Sequence, residues 1–236
     1  SPTDMGVNMA KQGIVDDDAV REAARKEIVR RHFRYYREFV EGGTTRTTLE
    51  RMDRIMERVG VTPLDRSVVL PAREAAEDAR RRSGEGKGYN GIFTGAAIEI
   101  VSESGEIVII QGKNSPLLHA ESAVLLNGAK TLAGLPDDLK VISRAVIDSV
   151  MGMKKAMGLT NLSLNVREVL DALAASAVSD AKARQCRDAL VMLRGCEMHS
   201  THLMESGDEN PLKQLGLEIT TDARLYFPSN YDGNTR

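Results

Sequence analysis

Apolar positions first recur at helical spacing. After the acidic start Asp16-Asp17-Asp18 come Val20, Ala24 and Ile28, then Tyr35, Tyr36, Phe39 and Val40, until Gly42-Gly43 ends the run. Thr47-x-x-Glu50 has the form of a capping box, and Leu49, Met52, Ile55, Met56 and Val59 follow it as an apolar face before Gly60. Pro71 at a first helical position, with Ala72, Ala75, Ala76 and Ala79 ahead of the basic end Arg80-Arg81-Arg82, signals a third helix. The three together predict a helical subdomain over residues 1–83.

The period then changes. Residues 84–91 are dense in glycine and polar side chains, which predicts a linker; the stretch resembles a phosphate-cradling loop in composition only, since the Walker spacing is absent. Ala96 to Val101 and Ile107 to Ile110 are β-rich runs joined by a polar turn, the pattern of a hairpin. Leu117 to Leu132 is mostly apolar on all sides and predicts a buried helix lying on a sheet. Further helical patterns cover 141–157 and 166–193, the second capped by Asn165. A turn at Ser206-Gly207-Asp208, a short helix from Pro211 to Leu215 and a strand from Leu217 to Thr220 complete an α/β subdomain over 92–227, with a polar tail at 228–236. The expected class is α/β: a helical subdomain, then a mixed sheet carrying a hairpin and a buried helix.

Composition narrows the function. Within 236 residues, Lys+Arg 32 against Asp+Glu 34 gives a net charge of −2, so the overall balance disfavours nucleic acid and anionic membranes as partners. Arg21, Arg25, Lys26, Arg30, Arg31, Arg34 and Arg37 form a basic stripe on the first helix that could grip phosphates, although such a stripe is usually a solvated face. No apolar run approaches the roughly 18 residues of a membrane span. Cys186 and Cys196 read as thiols, which fits a cytoplasmic setting. The chain opens on Ser1-Pro2-Thr3-Asp4 without an initiator methionine, as expected of a piece of something longer.

Candidate chemistry gathers in two places. His119-Ala120-Glu121 follows the hairpin and opens the buried helix, setting an imidazole beside a carboxylate. This resembles the first motif of zinc-dependent cytidine deaminases, which implies His119 as a zinc ligand and Glu121 as the acid/base. The second cluster is Cys196-Glu197-Met198-His199-Ser200-Thr201-His202, where the resemblance would call for Pro-Cys-x-x-Cys; Cys196 and His199 are the substitute zinc ligands, with Glu197 and His202 as further candidates. Conformation decides this reading. In a strand, Cys196 and His199 face opposite sides and cannot share an ion, whereas a helical turn would bring them together. The bland alternative makes Cys196 a small buried hydrophobe and both His119 and His199 hydrogen-bonded structural residues. Ser200 or Cys196 beside His199 also supplies a nucleophile and a base in sequence, with geometry left open.

The segments GIVDDDAVREAARKEIVRR, LPAREAAEDA, GKNSPLLHAESAVLLN and RGCEMHSTH, followed by GDE, together resemble the C-terminal half of uncharacterised protein family 0371, whose members are longer bacterial proteins. The resemblance implies an N-terminal α/β half elsewhere, with a Gly-Pro-Gly-Ser-Gly-Lys loop of the phosphate-binding kind, so a nucleotide would enter only through that half. It places His119, Cys196, His199 and His202 on motif positions, and a small residue where this chain has Glu121. Two functions follow as expectations. One is an accessory half of a larger cytosolic, nucleotide-dependent protein, partnered by its own N-terminal half, forming a homo-oligomer and one wall of a small-molecule site. The other is a zinc-dependent hydrolase of the deaminase type using His119, Glu121, Cys196 and His199.

Overall fold

The computed structural model describes residues 16–101 and 105–224. The expected tail at 228–236 and part of the hairpin turn lie outside the described residues. The chain divides into two compact units, 1–66 and 67–236.

In the first unit, α1 (Asp17–Val40) starts where Asp16 accepts from the backbone N–H of Asp18 and Ala19, and α2 (Arg46–Val59) ends on the left-handed Gly60. Their shared core is Val29 and Phe33 with Leu49, Met52 and Met56. The wider stripe expected on α1 is only partly used, because the 14 residues of α2 can cover only part of the 24 of α1. Helix α2 begins one residue before Thr47, with Thr45 as its N-cap, so the Thr47–Glu50 capping box does not form. The basic stripe is spent locally. Arg25 donates to the carbonyls of Val59 and Gly60, and Arg31 and Arg37 pair with Glu27 and Glu41 one turn away.

The second unit is a four-stranded mixed sheet between helices. Its order is β2-β1-β3-β4, from β1 (Gly95–Val101), β2 (Ile107–Lys113), β3 (Glu197–Ser200) and β4 (Glu218–Thr221). Strand β1 pairs antiparallel with both β2 and β3, and β3 runs parallel to β4. Period-two alternation sorts the side chains. Ala96, Ile98, Ile100 and Met198 face α4 (Ala120–Leu132), while Ala97 and Ile109 face α3 (Val69–Arg81). Glycines let both helices sit close to the sheet: a Cβ on Gly112 would lie 2.4 Å from Val124 N of α4, and one on Gly95 would lie 2.2 Å from Ala72 O of α3. Helix α3 thus belongs with the sheet, whereas the sequence grouped it with the first two helices in 1–83.

The expected 84–91 linker is structured. Gly88 N donates to Asn114 O at 2.8 Å, and Tyr89 and Ile92 exchange backbone hydrogen bonds. The remaining helices, α5 (Arg144–Ala156), α6 (Val166–Ser176), α7 (Ala181–Ala189) and α8 (Ser206–Leu215), close the core around α4. The single helix expected over 166–193 is broken, because Asp180 caps a new helix by accepting from Lys182 N and Ala183 N. Asn165 caps α6 as expected, in a reciprocal box with Glu168. Helix α8 starts at Ser206, well before Pro211, so the expected turn at Ser206-Gly207-Asp208 is its first helical turn. Among the described residues, no helix is long and apolar enough to cross a membrane.

Candidate functional site

Backbone pairing delivers His119 to a cavity. Beyond β2, the buried Asn114 accepts from Thr94 N and donates to Ile92 O, each at 2.9 Å, which fixes the exit from the sheet. His119 N then donates to Leu164 O at 3.0 Å while Leu164 N donates to Leu117 O at 2.8 Å, laying the 161–165 segment alongside. Lys154 holds that segment from behind, donating to Ser163 O and Glu168 Oε2. His119 is the N-cap of α4, with extended φ −65 and ψ 159, rather than a residue of its first turn, and its ring makes no capping bond. The ring is thereby left free to face outward into the cavity.

That ring is held at both nitrogens. Nδ1 lies 2.8 Å from Asp208 Oδ2, and Nε2 lies 3.3 Å from Asn161 Nδ2. Asn161 Oδ1 accepts from Ser163 N and Ser163 Oγ, so its amide group presents N–H to His119. The network therefore assigns Nδ1–H donating to Asp208 and Nε2 accepting from the Asn161 amide. Asp208 is 1% exposed, and its second oxygen accepts from Val166 N, at the start of α6, at 2.8 Å. Burial pushes the His119 pKa down, but the Asp208 hydrogen bond and the charges of Asp208 and Glu121 more than offset this and leave it raised.

Glu121 sits in the first turn of α4 and is 0% exposed. Ser200 Oγ donates to its Oε1, and His202 Nδ1 lies 3.1 Å from Ser200 Oγ and 3.5 Å from Glu121 Oε1. Among the described residues, its other oxygen, Oε2, is buried without a hydrogen-bond partner. A buried carboxylate oxygen left unmatched costs about 1–3 kcal/mol or more, so it is a group awaiting a proton donor, a cation or a ligand. His119, Glu121, His202 and Asp208 all line one cavity of about 80 Å³, walled by Tyr89, Asn161 and Glu205. This space admits several waters or the functional group of a ligand.

The second sequence cluster splits. Residues 197–200 are a strand, so Ser200 faces α4 and Glu121, while His199 is on the opposite face with Nδ1 2.9 Å from Thr220 Oγ1 and Nε2 3.5 Å from Asp222 Oδ1. Cys196 Sγ approaches Met192 O at 3.9 Å, and burial, with the charges of Glu99 and Glu197, raises its pKa. The proposed zinc set of His119, Cys196 and His199 is therefore not brought together, for the alternation reason that a strand imposes. Glu197 shares the His199 side of the strand and lies away from the cavity. Sequence reasoning missed Asp208 and Asn161, and it read Ser200 as a nucleophile beside His199 rather than as the donor to Glu121. The usable signal for Asp208 was its place in the GDE motif that follows the histidine cluster.

The C-terminal model of the domain of unknown function DUF1846 matches residues 64–231, and its N-terminal model matches residues 1–60. The match is thus not confined to a C-terminal half, and the break between the two models falls beside the division between the compact units at 66 and 67. A UPF0371 protein of Clostridium botulinum (strain Alaska E43 / Type E3) is 38% identical over 235 residues, 99% of this chain and 45% of that protein. A UPF0371 protein of Corynebacterium aurimucosum is 40% identical over 223 residues, 94% of this chain and 42% of that protein. One from Clostridioides difficile (strain 630) is 37% identical over 230 residues, 97% of this chain and 44% of that protein. The chain thus spans less than half the length of these relatives.

Proposed function

This chain belongs to the DUF1846 family, and from that premise we propose that its 67–236 unit carries a small-molecule site doing acid–base chemistry, with His119 as the proton-transfer group, Asp208 as its orienting partner and Glu121 as a second proton carrier. A single observation carries the reading: an imidazole fixed by a buried carboxylate lines the same cavity as Glu121, whose Oε2 has no hydrogen-bond partner among the described residues. A general base needs a lone pair within reach of substrate and a pKa near the working pH. His119 Nε2 offers the lone pair when a substrate displaces the 3.3 Å Asn161 contact, and Asp208 raises the His119 pKa from its ordinary value. We take attack of water on an amidine or amide carbon as the reaction to test, with the water proton passing to His119 and ammonia leaving, without the Cys196 and His199 ligands.

The test is release of ammonia from a panel of amidine- and amide-bearing heterocycles. Turnover should fall about 100-fold or more in His119→Asn and Glu121→Gln. Turnover that survives both substitutions defeats the reading.

A second reading rests on ligand geometry: one donor atom each from His119, Glu121 and Asp208 lie within 4.8 Å of one another, a spacing that suits a divalent cation. Elemental analysis of untagged protein decides it. Close to one equivalent is expected, and less than about a tenth ends the idea.

We further infer that the chain works as part of a longer cytoplasmic protein. The support is its span of 45% of a relative's length and its two unbridged cysteines. Exposed Met153, Met157 and Leu159 at the end of α5 support assembly into an oligomer. A strict monomer at micromolar concentration, for both this chain and the longer protein, removes that part. Nucleotide dependence through the remaining half is tested by nucleoside triphosphate binding to the longer protein, and an affinity no greater than that of this chain removes that part.

A further inference from the structure

We propose that a second, larger groove in the 67–236 unit binds a small phosphorylated molecule with an apolar or aromatic body. The groove has a volume of about 630 Å³ and is bordered by the end of β2, one flank of α4, the 137–142 segment and the start of α5. That volume falls within the range of about 300–1,000 Å³ typical of small-molecule sites. It is independent of the His119 cavity, and the two share no lining residue.

Charge identifies the ligand. The lining carries six cationic side chains, Arg82, Lys87, Lys113, Lys130, Lys140 and Arg144, against two acidic ones, Asp137 and Asp138. Three of the six are already engaged, Lys113 with Asp78, Arg82 with Glu85 and Arg144 with Asp148. Lys130 differs. It is 6% exposed, and its ammonium donates to the backbone carbonyl of Asp137, with no carboxylate in ion-pair range among the described residues. An ammonium has three donors, so two remain for a ligand. A cation sunk into the wall without a counter-charge is costly to bury unless an anion arrives to match it. Lys87 and Lys140 also have no acidic partner among the described residues, and they reach the groove as adaptable point charges.

The remaining wall is apolar, with Leu118, Leu126, Val141 and Ile142 among its residues, which suits the body of a ligand rather than a bare ion. A net charge of −2 on the chain argues against a long polyanion.

Titration calorimetry on the full chain tests this, with adenosine 5′-monophosphate, glucose 6-phosphate, inorganic phosphate and adenosine as probes. Adenosine monophosphate should bind at least about tenfold more tightly than adenosine. Lys130→Met should weaken it by about tenfold or more, and the exposed double variant Lys87→Met/Lys140→Met by a few-fold. If Lys130→Met does not fold by circular dichroism, the double variant decides alone. The proposal is overturned by equal binding of adenosine and its monophosphate, or by no binding of any phosphate-bearing probe up to about 10 mM. It is also overturned by an affinity that no folded variant changes, or by an oligonucleotide that displaces the monophosphate with a steep salt dependence.

Discussion

His119 Nδ1 and Asp208 Oδ2 are 2.8 Å apart across 89 residues of sequence, and that contact orients the imidazole from the buried side of the cavity. The Asp208 hydrogen bond and charge raise the His119 pKa against the opposing effect of burial. Asp208→Asn should therefore drop the His119 pKa below its ordinary value of 6.5, read from the imidazole resonances in an NMR titration. An unchanged titration would mean that the pair is not coupled in solution.

The same shift has a stability signature. A pKa raised in the folded state stabilises the fold fully below the unfolded value, and this contribution is lost as pH rises through the folded value. The wild-type melting temperature should decline as pH rises above about 6.5, and His119→Gln should lack this component of the decline. Parallel pH profiles for the two proteins would contradict the assignment.

Glu121→Gln should keep the Ser200 contact, because the amide oxygen still accepts, while a buried amide N–H group replaces the unmatched oxygen. The expected outcome is a melting temperature within a few degrees of wild type, a change of about 1 kcal/mol or less in a protein of this size, together with loss of cation binding. Destabilisation with binding intact would make Glu121 a structural residue.

Much of the scaffold around the site was legible because it is local. Asn165 with Glu168, the alternation of 96–101 and the end of α2 at Gly60 are each set by a few neighbouring residues. The site was half legible. His119 and Glu121 lie together in sequence, but their partners come from three remote elements: Asp208 from α8, Asn161 from a loop and Ser200 from β3. Pro211 drew the apparent helix start forward and left Asp208 looking like a turn residue, although helix α8 tolerates the proline inside it. The histidine cluster is less legible for the opposite reason, since residues adjacent in sequence do not share one site. A strand sends His199 and Ser200 to opposite faces, so only Ser200 reaches Glu121.

On that opposite face, Asp222 accepts from Arg73 Nε and Nη2 at 3.1 and 2.6 Å and faces His199 Nε2 at 3.5 Å. Burial alone would raise the Asp222 pKa, but His199 and Arg73 hold it well below the usual carboxylate range. The stabilisation is present above the ordinary value of 3.8 and is lost as pH falls through the folded value. Asp222→Asn should cost about 2 kcal/mol at neutral pH, less than a fully buried pair because Arg73 is partly exposed. It should also flatten the acid limb of the urea-unfolding profile below pH of about 4. A steep acid limb in the variant would assign acid sensitivity elsewhere.

Packing of α4 on the sheet fixes where His119 and Glu121 project, so the contact at Gly112 bears on the site as well as on stability. A methyl group at Gly112 would meet Val124 N at 2.4 Å and Ala120 O at 2.5 Å, both backbone atoms in the helix that carries Glu121. Neither atom can yield by a rotamer change, so Gly112→Ala must lift the helix from the sheet, at about 3 kcal/mol or more. Gly128, on the same helix, is the control: its added methyl would lie 3.5 Å from Ile98 Cγ2 and Leu193 Cδ2, ordinary contact distances. Gly128→Ala should stabilise by about 0.5–1 kcal/mol through helix propensity. Chemical denaturation of the two variants separates the effects. If the Gly112 variant were as stable as wild type, the close seating of α4 on β2 would be wrong, and the projection of Glu121 toward Ser200 would have to be set by other contacts.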